Sequence, residues 1–355
     1  MGVTRKLLLL AVIGAAVAGA YEFISIHKSE RYVPAHGPAF VTTFRDAPTA
    51  LDLLLAESDG QFYAAIAEDP LMKHPERFPR PAEVAYRWQR PALPYVAWTL
   101  SLGRQHAART ALAIAVALSA GFAAASCGAM LARRGASPGL GLAVILLPGS
   151  LIVLRGFGPE LLALGFGVLG LMAFEDRKIT AAAVAFAAAT LSRESLILLP
   201  AGLAVYAIVT ERRARDAAIV VALPLAALLA WWVVVHAHVQ AWPWDAGNDR
   251  IAPPWHGLVP GIRAWSTLLD PLFAGLTLLI PALAVARRRS DPAAWAAAFS
   301  IPFALVMGSD VWRTWESFGR PVLPVFALGL ISLLTRSPRD MSSPDRVVHD
   351  AELGR

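Results

Sequence analysis

Apolar runs of 15 to 25 residues recur from one end of this 355-residue chain to the other. A run of that length matches the ~30 Å hydrocarbon layer of a bilayer at about 1.5 Å of helix rise per residue. A chain patterned in this way has too much apolar surface for one or two water-soluble cores. Its composition agrees: 56% of residues are hydrophobic and 16% charged, against roughly a quarter charged in ordinary soluble domains. The fold class expected is an all-α integral membrane protein.

The one cysteine, Cys127, sits inside an apolar run, which excludes a disulfide framework, a cysteine-ligated zinc site and a redox pair. The net charge of +6 arises from arginines clustered in short connections between apolar runs. These read as topology signals, and a nucleic-acid partner is not expected.

The first apolar stretch, 7–26 after the basic start Arg5-Lys6, has the outline of a signal peptide and the length of a span; an uncleaved anchor is expected. Further spans are expected at 111–132, 138–154, 161–174, 179–192, 195–210, 217–240, 264–285, 293–308 and 321–335, about ten in all. The clusters Arg133-Arg134, Arg177-Lys178, Arg212-Arg213-Arg215 and Arg287-Arg288-Arg289 fall at every second connection, which assigns them and both termini to the cytoplasm. Residues 1–335 then form one polytopic membrane domain and 336–355 a cytoplasmic polar tail. The segment 27–110 carries ten Lys/Arg, but loops beyond about 60 residues escape the charge rule, so it is expected outside. Within it, 91–103 is apolar yet too short to span, and an interfacial or re-entrant helix is expected there.

The 179–210 stretch is apolar except for Ser192-Arg193-Glu194-Ser195 at its middle. A helix of that length would overrun one bilayer, so a turn at Arg193-Glu194 is expected. The outward connections also carry Arg155, Arg250, Arg263, Arg313 and Arg320, against the topology bias, together with Glu160, Asp245, Asp249, Asp310 and Glu316. A polar site at the outer membrane interface is one expectation, and ordinary solvated loop charge is the other.

Asp59 precedes a helical stretch. It reads either as an N-cap accepting a backbone amide or as a partly desolvated carboxylate of raised basicity that takes a proton from a hydroxyl. Gly60 would allow a ligand close to the backbone. Arg87 and Arg90, three apart, suit a phosphate or lipid head groups.

Four short stretches resemble bacterial multi-pass proteins of the GT-C glycosyltransferase superfamily: Asp59-Gly60-Gln61-Phe62-Tyr63 to Asp69-Pro70, Tyr86-Arg87-Trp88-Gln89-Arg90 to Pro94, Leu191-Ser192-Arg193-Glu194-Ser195 to Pro200, and Gly319-Arg320-Pro321-Val322-Leu323-Pro324. The resemblance implies an inverting transfer of a sugar from a polyprenyl-phosphate carrier to a cell-envelope glycan or protein acceptor, at the outer face of a bacterial inner membrane. By the same likeness Asp59 is the catalytic carboxylate of the first loop, which deprotonates or orients the acceptor hydroxyl. Arg87, Arg90, Arg193 and Arg320 hold the donor phosphate, and Gln61, Tyr63, Asp69 and Glu194 contact substrate. No cofactor is implied. Ser58 stands where a tyrosine is common, and a C-terminal extracytoplasmic domain, found in the larger members of the superfamily, is not expected. Two other readings stay open: a transporter or flippase of lipid-linked saccharides, and a non-catalytic subunit of a glycan-assembly complex.

Other signals carry less. Gly165-Phe166-Gly167-Val168-Leu169-Gly170 satisfies a dinucleotide pattern but lies within an apolar span, where small residues serve helix packing. His236 and His238 are two apart, and a regular helix points them away from each other, so no metal site is expected there. Asp245, Asp249 and Asp310 have oxygen ligands for a divalent cation but uninformative spacing. Trp242, Trp244, Trp255 and Trp265 read as an interfacial belt or, alternatively, a sugar-stacking surface. No P-loop, nucleophile elbow or kinase pattern occurs.

Overall fold

The structure, a computed structural model, describes residues 2–29, 41, 49–78, 80–246 and 253–335. Among these the chain is all-α, with no strand. The elements are α1 (Val3–Ser29), α2 (Ala50–Ala56), α3 (Gly60–Glu68), α4 (Pro81–Trp88), α5 (Ala92–Leu100), α6 (Gln105–Arg133), α7 (Pro148–Gly156), α8 (Glu160–Glu175) and α9 (Ile179–Ser192). They continue with α10 (Leu198–Val209), α11 (Ala214–Val239), α12 (Leu258–Ala264), α13 (Leu269–Arg287), α14 (Pro292–Ala298), α15 (Ser300–Val306), α16 (Ser309–Trp312), α17 (Trp315–Gly319) and α18 (Leu323–Leu334). The expected tail, 336–355, lies outside the described residues, as do Asp249, Arg250 and the Asp310 side chain.

Among the described residues four helices are long and apolar enough to cross a membrane: α1, α6, α11 and α13. A fifth arises if the 3-10 segment Pro138–Leu146 and α7, bent by 65°, are counted as one broken span. This supports a membrane protein and does not confirm ten spans. The remaining apolar helices have from 7 to 16 residues, roughly 10 to 24 Å of rise, less than the ~30 Å of hydrocarbon. Most of α8 is buried among its neighbours, so it meets little of what surrounds the bundle.

Close approach of small residues builds the interior. A Cβ on Gly121 would fall 2.2 Å from the Ala11 carbonyl oxygen, and one on Gly141 would fall 2.3 Å from that of Ala124. Thus α1, α6 and the 3-10 segment meet backbone to backbone. The 165–170 glycines do the same work in α8: Gly165 faces the Phe122 ring and Gly170 the Phe186 ring. From there α8 leans on α6 and α9, α9 and α10 on α11, and α14 bridges α10 to α18.

The charged residues lie chiefly at the two ends of this bundle. Glu160 opens α8 and Glu175 closes it, while Lys178 precedes α9 and Arg193 follows it. At the end marked by Glu175, Arg134 binds both Asp291 oxygens at 2.8 and 2.9 Å and Glu175 at 2.6 Å. Asp291 also accepts from Ser332 and from the Ala293 amide. Arg133 pairs with Asp176, and Arg177 and Arg213 share Glu211. Three of the arginine clusters, Arg133-Arg134, Arg177-Lys178 and the one holding Arg213, therefore meet at one end of the molecule.

Candidate functional site

The opposite end gathers most of the residues singled out from sequence. Asp59 sits between two guanidiniums: Arg87 Nη1 lies 2.8 Å and Arg320 Nη1 2.9 Å from the same oxygen, Oδ2. Arg320 reaches it from the turn between α17 and α18, 261 residues away in sequence. Arg193 pairs with Glu160 at 3.3 Å. Arg90 binds Glu194 through Nε at 2.5 Å and Nη2 at 2.6 Å, and donates to the Tyr63 and Tyr86 hydroxyls at 3.1 and 2.9 Å. Arg87 stacks over Phe62 and Tyr86 at 4.6 and 5.2 Å, and Arg90 covers Tyr86 at 4.8 Å. The result is a continuous assembly of four guanidiniums (Arg87, Arg90, Arg193, Arg320) with three carboxylates (Asp59, Glu160, Glu194). Among the described residues one positive charge of this assembly is left unmatched.

Local structure explains how these groups are presented. The N-cap reading of Asp59 is excluded, because its side chain makes no capping hydrogen bond. Ser58 Oγ instead accepts the Gly60 amide at 3.1 Å, so the Asp59 carboxylate is released for the arginines. Gly60 does not open a path for a ligand, since a Cβ there would meet Leu55, Phe157 and Ser58 within about 3 Å. Pro81 starts α4, which brings Arg87 and Arg90 onto the same end. The break after α9 puts Arg193 in extended backbone and Glu194 at the start of a 3-10 turn, so the two neighbours serve different partners.

The raised basicity expected of Asp59 is overturned. Burial alone pushes its carboxyl upward, but Arg87, Arg320 and Arg90 outweigh that and hold it well below the ordinary carboxylate range. Glu194 follows the same pattern: burial raises it, and Arg90 with Arg193 brings it down to about 2. Burial pushes the Tyr63 phenol up.

The remaining predicted residues divide. Gln61 is 3% exposed, accepts the Val41 amide at 2.9 Å and donates to the Ala56 carbonyl at 2.8 Å; it ties the first loop together. Asp69 accepts the His74 amide at 2.7 Å and holds a turn. Each nitrogen of Arg90 is committed and the side chain is 1% exposed. Arg155, Arg263 and Arg313 are exposed and do not enter the assembly.

Glu160 was not singled out as a site residue and belongs to it: its side chain is 1% exposed and Oε2 is buried without a hydrogen-bond partner. A Cβ on Gly158 would sit 2.2 Å from that oxygen. The signal in the sequence is an acid opening an apolar helix directly after Gly158-Pro159. Arg87 Nε, Arg193 Nε and Ser195 Oγ are likewise buried without partners.

Nearby, His236, Trp242 and Trp244 stack in parallel at 4.0 and 4.9 Å, and His238 packs edge-on to Trp88. Trp231 donates to the Trp88 carbonyl at 2.6 Å, fastening α11 to α4. No group of three or more His, Cys, Asp or Glu able to hold a metal ion occurs among the described residues. No protein family, no curated protein and no solved structure matches this chain.

Proposed function

We propose that this chain is an inverting glycosyltransferase that moves a sugar from a polyprenyl-phosphate donor to a cell-envelope acceptor at the outer face of a bacterial inner membrane, with both termini cytoplasmic. The observation that carries this reading is the Asp59–Arg87–Arg320 arrangement, an acid flanked by cations inside an assembly that, among the described residues, has one more guanidinium than carboxylates. A phosphodiester-linked donor brings one negative charge. In the transfer, an acceptor hydroxyl oxygen forms the new bond to the anomeric carbon from the face opposite the phosphate. The bond from that carbon to the phosphate oxygen breaks, and its electron pair leaves with the polyprenyl phosphate. The hydroxyl proton passes to Asp59. Negative charge gathers on the leaving phosphate, and Arg87 and Arg320 have the fork geometry to hold it. Arg193, with an unmet Nε beside Glu160, completes the cationic wall. Arg90 and Glu194 hold the first loop against the α9 turn.

Purified full-length protein supplied with polyprenyl-phosphate sugars is expected to release polyprenyl phosphate, and Asp59→Asn is expected to lower turnover by about 10²-fold or more. Full turnover by that variant would remove the proposed base. The double grip on Asp59 favours a second reading, a lipid-phosphate-binding subunit without chemistry of its own. Failure of the isolated chain to turn over, with binding of isoprenyl phosphate retained, would select it.

A further inference from the structure

The carboxylate that the transfer needs as a proton acceptor is held by the same two arginines that the donor phosphate needs. Resting on the functional reading above, we propose that Asp59 is the resident counter-ion of the phosphate site, and that an arriving lipid phosphate takes Arg87 and Arg320 from it, freeing the carboxylate to receive the acceptor's proton. Donor binding thereby arms the base, and an acceptor arriving first meets a carboxylate that cannot work.

Several features make this exchange possible. Both ion pairs fall on Oδ2, so one displacement releases the carboxylate from both cations. The helix start does not depend on Asp59, because Ser58 Oγ holds the Gly60 amide; the side chain can turn without uncapping α3. Arg87 keeps its place when Asp59 turns away, since Phe62 and Tyr86 fix its guanidinium by ring contacts. Arg320 is the most exposed guanidinium of the four, at 26%, and so the most accessible to an incoming head group. Arg90 and Arg193 offer no equivalent exchange: the first is committed at each nitrogen, and the second faces Glu160. Charge points the same way, since among the described residues the assembly's arginines exceed its carboxylates by one and a phosphodiester brings one negative charge.

Two anions competing for one pair of cations make an uncommon prediction: deleting the internal one strengthens binding of the external one. Full-length protein in detergent is titrated with farnesyl phosphate, with farnesol as the uncharged control. Asp59→Asn is expected to bind farnesyl phosphate about tenfold or more tightly than the native chain, the usual scale of coupling between linked sites, while farnesol binds both equally. Arg87→Gln and Arg320→Gln are expected to weaken it. Equal or weaker binding by Asp59→Asn would overturn the exchange. Should that variant not fold, labelling of the native Asp59 by a water-soluble carbodiimide decides: farnesyl phosphate is expected to accelerate it, and protection or no change would overturn the exchange. Absence of farnesyl phosphate binding to the native chain and to Asp59→Asn alike would instead remove the functional reading itself.

Discussion

The two ends of the helical bundle are built from the same chemistry, arginine against carboxylate, and close in different ways. At the Glu175 end the pairs join Arg133, Arg134, Arg177, Lys178 and Arg213 to Glu175, Asp176, Glu211, Asp216 and Asp291, five cations with five carboxylates. Its centre, Arg134 with Asp291, is wholly buried, and Asp291 has further partners in Ser332 and Ala293. At the Asp59 end, among the described residues, four guanidiniums face three carboxylates; buried polar atoms without a partner occur at both ends, Arg134 Nε and Glu175 Oε2 at one and Arg87 Nε, Arg193 Nε and Glu160 Oε2 at the other. Buried ion pairs add little net stability over apolar residues of the same shape, yet lose much when one partner goes. A balanced cluster is therefore a lock, whereas an unbalanced one retains capacity for an anion.

The largest effect expected from this contrast is at the lock. Arg134→Met leaves Asp291 and Glu175 buried and unpaired and is expected to destabilise by about 3–5 kcal/mol, read as lost thermal stability in detergent; an unchanged melting temperature would mean that the cluster holds nothing. Next comes the latch of the other end. Arg90→Met is expected to cost a similar ~3–5 kcal/mol by stranding Glu194, and adding Glu194→Leu is expected to recover most of it. A double variant as unstable as the sum of the singles would show that the two side chains do not act together.

The acid response is expected to be smaller and follows from Glu194. Its folded carboxyl, brought down to about 2, lies below its ordinary value near 4.5. The stability it contributes is full above the unfolded value and is lost as pH falls through about 2. Unfolding measured at pH 5 and pH 2.5 is expected to show a loss in the native chain that Glu194→Gln lacks; equal acid sensitivity in both would break the assignment. Smallest is Gly158→Ala. Its methyl group would push Glu160 Oε2 aside, and the Arg193 pair is expected to loosen at a cost of about 1–3 kcal/mol, visible as weaker farnesyl phosphate binding than in the native chain. Tighter binding would mean that Glu160 blocks the site.

How far the sequence reaches differs between these regions too. Hydrophobic patterning located 179–192, and α9 occupies those residues. It also expected 138–154 and 293–308 as single spans. The first breaks at Leu147, the residue before a proline, whose backbone is extended between the 3-10 segment and α7, and the second divides at Phe299 into α14 and α15. The acid and the arginines were legible as residue types, but their pairing was not. Asp59 meets Arg320 only through tertiary packing, and Glu194 chooses Arg90, not its neighbour Arg193, because the chain leaves the helix between them. The direction of the Asp59 shift was unreadable for the same reason: burial and cation neighbours act oppositely, and only geometry says which prevails.

The sequence separation of 261 between Asp59 and Arg320 also sets an order in time. At about 5–20 residues per second, a ribosome needs roughly 13 to 50 s to progress from one to the other. Throughout that interval the nascent chain carries its acid with one of its two cations still unmade, and a message truncated before codon 320 yields a product that never acquires it. Biogenesis thus completes the ion pairs of this end after those of the Glu175 end, and every product that extends through Arg320 carries the finished charge pattern.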